Sequence, residues 1–310
     1  MTGALLVALY LAAVTVPVPL LLRRARWVVR VPRTALAVWL GLLVSSLAGA
    51  LLLGCEATEA LFGSSRWECC RELLNVLRGH QTKAVPMAAS VLLTFGLLLR
   101  VLAVVTCEVL RRHRHQLRLA ESIDLLGRPV ERLGKGTVVV DHECPAAYCV
   151  AARGGRIVLT TAALRVLPRA ELYAVAAHER AHLSGRHYVL TAVAASFARA
   201  LPGVPLFTAA GPAVARLVEM AADDAAARNT RGVTVARGLA LLVAAGEGRS
   251  NLVESTALHA SADDVAERIN RLLGAAPVDA KRSVTAGAGC LAGLVVVPVV
   301  ALVGTVSFWC

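Results

Sequence analysis

The chain has 310 residues, of which 57% are apolar and only 17% charged, and its formal net charge is +12. A soluble domain is about 45–50% apolar and about 25% charged, so the composition excludes both an ordinary soluble protein and a disordered one. Aromatic residues make up 4% of the chain, which argues against a sugar-binding or base-stacking surface.

Four apolar stretches are each long enough to cross a bilayer, because a spanning helix needs about 20 apolar residues. Residues 2–22, 34–55 and 283–310 contain no charged side chain, and residues 84–107 contain only Arg100. The first stretch lacks the basic start and the cleavage site of a signal peptide. The pattern therefore predicts four transmembrane helices, and the alternative for any one of them is a buried core helix.

The charges that flank these stretches predict their orientation. Residues 23–33 carry five arginines and no acid, four arginines follow the third stretch, and a basic pair precedes the fourth. By the positive-inside rule, residues 23–33 and 108–282 face the cytoplasm, whereas the N-terminus, the 56–83 loop and Cys310 lie outside. Arginines beside the membrane spans account for the positive net charge of the chain, so we do not expect nucleic-acid binding.

The domain organisation follows from this topology. Residues 1–107 form a three-span membrane region, residues 108–282 a cytoplasmic domain, and residues 283–310 the fourth transmembrane helix. The cytoplasmic segment is long enough to bury its own core.

The eight cysteines divide along the same line. Those at or beyond the outer face are Cys55, Cys69, Cys70 and Cys310. Outer thiols can oxidise, so a disulfide from Cys69 or Cys70 to one of the other two is one interpretation, and four unpaired thiols is the other. Cys144 and Cys149 lack a second pair at zinc-finger spacing, and we interpret them as structural.

The cytoplasmic segment begins with a predicted helix at 108–126 and continues with three β-rich runs, at 137–141, 147–151 and 156–160. Gly154 and Gly155 lie between the last two runs and predict a hairpin turn. After residue 161 the pattern is helical.

The chemistry centres on the sequence H-E-R-A-H, which runs from His178 to His182 on a predicted helix. Pro168 and Glu171 suit the start of that helix. Residues four apart face the same side of a helix, so the two imidazoles can hold one zinc ion, and Glu179 can take a proton from a metal-bound water. The alternative is a chance motif, with two satisfied histidines.

His187 is one candidate for the third metal ligand. It lies nine residues after His178, whereas the metzincin pattern places its third histidine at ten. On a continuous helix it would point about 140° away from the face of His182. We therefore predict that His187 is not a ligand.

Residues 189–218 are apolar but interrupted by proline and glycine. A single span there would carry Glu219 across the membrane from His178. The sequence therefore predicts a helical hairpin at the inner leaflet.

A second helix, predicted at residues 213–229, carries Glu219 and Asp223 on one face. Glu219 is placed to be the third ligand of a His2Glu zinc site. Asp223 is placed to accept the spare N–H of a ligating imidazole. The alternative is a solvated acidic face. Asp224 points about 100° away and predicts a solvent contact or a salt bridge.

The order of these features resembles the integral-membrane gluzincin metallopeptidases. The matching segments are G-G-R-I-V-L-T-T (154–161), H-E-R-A-H-L-S-G-R-H (178–187), E-M-A-A-D (219–223) and A-E-R-I-N-R-L-L (266–273). The chain looks most similar to the BlaR/MecR-type antirepressor peptidases of bacteria, and the HtpX and CAAX-endopeptidase relatives share the same elements. The β-lactam receptors continue into an extracellular sensor, whereas this sequence ends at Cys310, so we do not expect direct β-lactam sensing.

The resemblance implies a mainly α membrane protein with four transmembrane helices and a cytoplasmic α+β zincin-like metallopeptidase domain. The implied cofactor is Zn²⁺, and the implied site consists of the ligands His178, His182 and Glu219, the base Glu179, the bracing Asp223, and Arg268. Relatives also keep a histidine near the arginine, here His259. Arg268 either stabilises the tetrahedral oxyanion or ties helices together.

The resemblance also implies an activity and a location. We expect a regulatory zinc endopeptidase in the bacterial plasma membrane, cutting a cytoplasmic or membrane-proximal protein such as a transcriptional repressor. The alternatives are a quality-control protease of HtpX type and a non-catalytic sensor or scaffold. Relatives bind an extended peptide at an edge strand; residues 156–160 form either that edge or one strand of a core hairpin.

Overall fold

The computed structural model describes residues 2–62, 85–246 and 262–274. These residues belong to two compact units. The first is drawn from residues up to 107 and from residues 193–213, and the second from residues 108–192 and from residue 214 onward.

The N-terminal part of the first unit is built from apolar helices. They are α1 (Thr2–Thr15), α2 (Pro17–Arg24), α3 (Arg26–Arg30), α4 (Pro32–Phe62) and the first part of α5 (Val85–Leu126). Both α2 and α4 begin at a proline, which suits the first helical turn because its missing N–H has no partner there anyway. α1 packs on α4, where Gly49 admits the Leu11 side chain.

Two segments of the described chain, Gly3–Arg24 and Pro32–Ala57, are long and apolar enough to cross a membrane by length and composition. They coincide with the first two predicted spans. The third predicted span is helical from residue 85 as part of α5. The fourth span, residues 283–310, lies outside the described residues.

Arg100 is the one charged residue of the third predicted span. Its Nε donates a hydrogen bond of 2.8 Å to the carbonyl of Ala200, the last residue of helix α8 (His187–Ala200). A cation at a helix C-terminus satisfies a carbonyl that has no partner within the helix.

The second unit contains a small mixed sheet with strand order β1-β2-β4-β3. The strands are β1 (Arg128–Pro129), β2 (Thr137–Val140), β3 (Ala147–Val150) and β4 (Arg156–Thr160). A short 3₁₀ helix, Glu131–Leu133, precedes β2. The predicted hairpin is confirmed: β3 and β4 are antiparallel, and Gly154 and Gly155 in the turn have φ of 86° and 80°, which glycine adopts readily.

β4 is an interior strand of this sheet. Val158 pairs with Val138 of the parallel β2 on one side and with Tyr148 of β3 on the other. The interpretation of residues 156–160 as an edge strand is therefore wrong, and the core-hairpin alternative holds. The physical reason is that Ile157, Val158 and Leu159 are all buried, as the continuous apolar run of an interior strand requires. The terminal strand at this side is β3.

Six further helices follow the last strand in the described chain. They are α6 (Thr161–Val166), α7 (Arg169–Ser184), α8, α9 (Pro205–Asn229), α10 (Gly232–Gly246) and α11 (Ala262–Leu273). α7 packs Leu172 and Val175 against Leu159 of the sheet, and its Ala174 packs against Val235 of α10. α7 is thereby fixed on both sides.

The predicted helical hairpin at 189–218 is present as α8 and the first part of α9. Gly203, at φ 85°, lies in the turn between them. α9 is longer than the helix predicted at 213–229, because it continues N-terminally through Pro212 to Pro205. Insertion of this hairpin into the inner leaflet stays a prediction.

Candidate metal centre

α7 presents His178 and His182 on one face, one turn apart, as the motif predicts. The Nε2 atoms of the two rings lie 3.0 Å apart. Both side chains are largely buried, at 12% and 15% exposed. Two nitrogens bound to one tetrahedral zinc would lie about 3.3 Å apart, given Zn–N distances of about 2.0–2.1 Å. The pair is therefore spaced for a shared metal ion.

α9 brings the Glu219 carboxylate to the same point. Its Oε2 lies 3.5 Å from Nε2 of His178, and its Oε1 lies 3.5 Å from Nε2 of His182. The three side chains offer ligand atoms that all lie within 4.8 Å of one another. Two imidazoles and a carboxylate are the donor set of a catalytic zinc site that keeps its fourth position for water. These residues fit a zinc ion.

Asp223 braces the first histidine from behind. Its buried carboxylate accepts a hydrogen bond of 3.0 Å from Nδ1 of His178, the ring nitrogen opposite the ligand atom. An N–H held in this way fixes the tautomer of a ligating imidazole and the direction of its lone pair. Glu219 and Asp223, which are predicted to share one helix face, thus both lie beside the His178 ring.

Arg268 reaches the same carboxylates from α11. Its Nε and Nη2 donate hydrogen bonds of 2.8 Å to Asp223, and its Nη1 lies 3.1 Å from Oε2 of Glu219. The guanidinium is buried, with 5% of the residue exposed. Of the two predicted roles, this geometry favours the tying of α9 to α11 over contact with an oxyanion.

His187 lies on the other side of His182. The helix ends after Ser184, and Arg186 takes a φ of 47°, so the chain turns before α8 begins at His187. Nδ1 of His187 lies 3.0 Å from Nδ1 of His182, away from the cluster of ligand atoms. His187 is therefore outside the cluster, as predicted, although the reasoning assumed a continuous helix and the helix in fact breaks.

Glu179 lies beside the cluster with a neighbour that the sequence analysis did not connect to the site. The thiol of Cys149 in β3 lies close enough to the Glu179 carboxylate to interact with it electrostatically. Burial, and then the adjacent carboxylate, raise the pKa of the thiol. A single cysteine thirty residues before Glu179 carries no recognisable signal, because only the packing of β3 on α7 brings the two together.

Burial raises the pKa of Glu179 to about 7, against the lowering effect of a charged His178. A carboxylate with that pKa can both accept and return a proton near neutral pH, which is what a general acid–base catalyst requires.

The two histidines titrate differently in the metal-free protein. Burial lowers the pKa of His178, but its hydrogen bonds to Asp223 and Glu219 outweigh this effect and raise the pKa to about 10. Burial lowers the pKa of His182 to about 3. Desolvation raises the pKa of Glu219, but its hydrogen bond to His178 and the imidazole charges outweigh this effect and lower the pKa to about 2.

Other predicted residues lie apart from the cluster or outside the described residues. Asp224 forms the expected salt bridge, with Arg271 at 2.5 Å. The predicted residues that lie outside the described part of the chain are His259, Cys69, Cys70, Cys290, Cys310 and the loop from 63 to 84. The disulfide therefore stays a prediction.

Residues 109–276 match the model of Peptidase family M48. The match covers more than half of the chain and includes every residue of the cluster described above. Comparisons with curated proteins and with solved structures gave no significant match.

Proposed function

This chain belongs to peptidase family M48, and on that basis we propose that it is a membrane-bound, zinc-dependent endopeptidase. The observation that carries the proposal is the cluster of His178, His182 and Glu219, with Glu179 beside it and a brace behind His178. A helix with two merely satisfied histidines would not require a carboxylate from another helix that faces both of their Nε2 atoms.

His178, His182 and Glu219 would hold the metal ion. A zinc ion so bound supplies Lewis-acid chemistry, since it polarises a carbonyl and lowers the pKa of water. The Glu179 carboxylate takes the proton of the attacking water and returns it to the leaving amine, for which its pKa of about 7 is suited. Asp223 and Arg268 keep His178 and Glu219 in place.

The extended substrate would pair with β3. This strand hydrogen-bonds to β4 through one edge and packs against α7, which carries the motif. Its Cys149 contacts Glu179, so a peptide added along the other edge of β3 would run close to the general base. Strand addition binds the peptide backbone, which suits a peptidase because the cleaved bond lies in an extended chain.

The substrate we propose is a cytoplasmic or membrane-proximal protein such as a transcriptional repressor, which makes the enzyme regulatory. The support is the resemblance to BlaR/MecR-type peptidases, together with two helices of spanning length. The arginine-flanked apolar stretches support a multi-pass protein of the bacterial plasma membrane with a cytoplasmic peptidase domain. A quality-control protease of HtpX type and a non-catalytic scaffold are the competing functions, and the latter has no use for Glu179.

The test is a substrate trap in cells. Glu179→Gln should retain zinc but lose at least about 100-fold in peptidase activity, because the general base is gone. Proteins that accumulate or co-purify with this variant, and not with wild type, are the substrates. Glu131→Gln, an exposed acid in the same unit, is the matched control. Undiminished proteolysis by Glu179→Gln contradicts the proposed function.

A further inference from the structure

His187 lies directly behind His182, on the side away from the cluster. The residue is 8% exposed, and its ring stands at 87° to that of His182 with centroids 4.8 Å apart. The two Nδ1 atoms are 3.0 Å apart, which is hydrogen-bonding distance. One Nδ1 must therefore donate and the other accept.

The direction of that hydrogen bond follows from the ligand side of His182. Its Nε2 faces His178 and Glu219, so Nε2 must present a lone pair to a metal ion. A neutral imidazole has one N–H, which then lies on Nδ1 and donates to Nδ1 of His187. His187 in turn carries its own hydrogen on Nε2.

The backbone is shaped to admit this ring. α7 ends at Ser184, and the left-handed Arg186 turns His187 back toward His182. A Cβ at residue 185 would collide with Nε2 and Cδ2 of the His187 ring. Gly185, which has no Cβ, leaves room for that ring. The positions 185, 186 and 187 thus act together to place one imidazole.

We propose that His187 is a positioning residue of the metal centre, which accepts the Nδ1 hydrogen of His182 and so fixes the tautomer and direction of that ligand. The inference rests on the proposed zinc site. His178 receives the same support from Asp223, so each ligand histidine has its own acceptor, an anionic one in the first case and a neutral one in the second. Removal of such a partner lowers metal affinity by about 10–100-fold.

Two variants of similar shape, His187→Asn and His187→Leu, distinguish a hydrogen-bond acceptor at this position from a side chain that only fills space. Asparagine at 187 places its Oδ1 where histidine has Nδ1, whereas leucine has the same branching and no acceptor. We expect His187→Leu to weaken zinc binding by about 10–100-fold and His187→Asn to stay within a few-fold of wild type. The measurement is the zinc dissociation constant of the full, detergent-solubilised chain at fixed pH, by competition with a chelator. The matched control is His113→Ala, an exposed histidine of α5.

Gly185→Ala provides a second test that leaves His187 in the sequence. Its Cβ displaces the ring, so we expect zinc affinity to fall by a similar factor, and no further fall when Gly185→Ala is added to His187→Leu. This test also decides the matter if His187→Leu does not fold.

The outcomes separate the two proposals. Zinc affinity unchanged in His187→Leu and in Gly185→Ala, or reduced as much by asparagine as by leucine, overturns the positioning role while the zinc site stands. A wild-type chain that binds no zinc overturns the proposed function and this inference together.

Discussion

His178 and His182 lie one turn apart, yet their surroundings shift their pKa values in opposite directions. Asp223 and Glu219 hydrogen-bond to His178 and raise its pKa to about 10, whereas burial lowers that of His182 to about 3. In the metal-free protein at neutral pH, His178 therefore carries a proton on Nε2, facing Glu219, as well as the one on Nδ1 that it donates to Asp223. A metal ion must displace that proton, because only a neutral imidazole is a ligand.

Zinc binding should accordingly release at least one proton at pH 8.5, the one that His178 carries, and a second where the bound water ionises. His178 is protonated below its raised pKa, while His182 and Glu219 have already lost their protons and Glu179 is largely ionised. Affinity should rise at least about tenfold per pH unit up to about pH 10. Calorimetry in two buffers with different heats of ionisation measures the proton count. Release of no proton would contradict the assignment.

Glu219 should be essential for metal binding. Its carboxylate faces both Nε2 atoms, so Glu219→Ala removes one of three ligands and leaves two imidazoles. We expect the purified variant to lose most of its zinc and all peptidase activity, as measured by metal analysis and a cleavage assay. Asp224→Ala, five residues further along the same helix, removes only a salt bridge and should keep both. Retention of zinc by Glu219→Ala would refute the ligand set.

The sequence predicts single residues well where helix geometry alone relates them. His178 and His182 share a face because they are four apart, and so do Glu219 and Asp223. The roles of Cys149 and His187 were missed for different reasons. Cys149 reaches Glu179 only through strand packing, and His187 reaches His182 only because the backbone turns at Arg186. Neither event leaves a periodic pattern in the sequence.

Among the elements, α7, α9 and α11 come together through buried charge. Asp223 on α9 accepts two hydrogen bonds from Arg268 on α11 and one from His178 on α7. The apolar pattern predicted these helices, but it says nothing about which faces meet. The same limit explains why the sequence left two alternatives open at residues 156–160: an apolar run fits an edge or an interior strand, and only pairing with both β2 and β3 distinguishes them.

Arg268→Met should destabilise this helix packing strongly. It removes one of the two cations, Arg268 and protonated His178, that contact the buried Asp223 carboxylate, and breaking a buried pair costs about 3–5 kcal/mol. The matched control is Arg271→Met, which breaks a more exposed pair on the same helix and should cost about 1 kcal/mol or less. Thermal unfolding of the metal-free variants at pH 7 measures the difference. Equal effects of the two substitutions would argue against the structural role of Arg268.

At the scale of the whole molecule, the flanking arginines predict the side of the membrane on which the peptidase unit lies. A variant with Cys144 as its single cysteine should resist a membrane-impermeant maleimide in intact cells and react after detergent permeabilisation. A cysteine introduced between residues 56 and 83 should react in both conditions. Labelling of Cys144 in intact cells would reverse the proposed topology.

The hydrogen bonds between Asp223 and Arg268 have a consequence for synthesis on the ribosome. The two residues are 45 positions apart, so at about 5–20 residues per second the arginine is made roughly 2–9 seconds after the aspartate. During that interval, Glu219 and Asp223 have no guanidinium to hold them in register. A nascent or prematurely terminated chain that lacks α11 should therefore have no peptidase activity, even though it already carries all three zinc ligands.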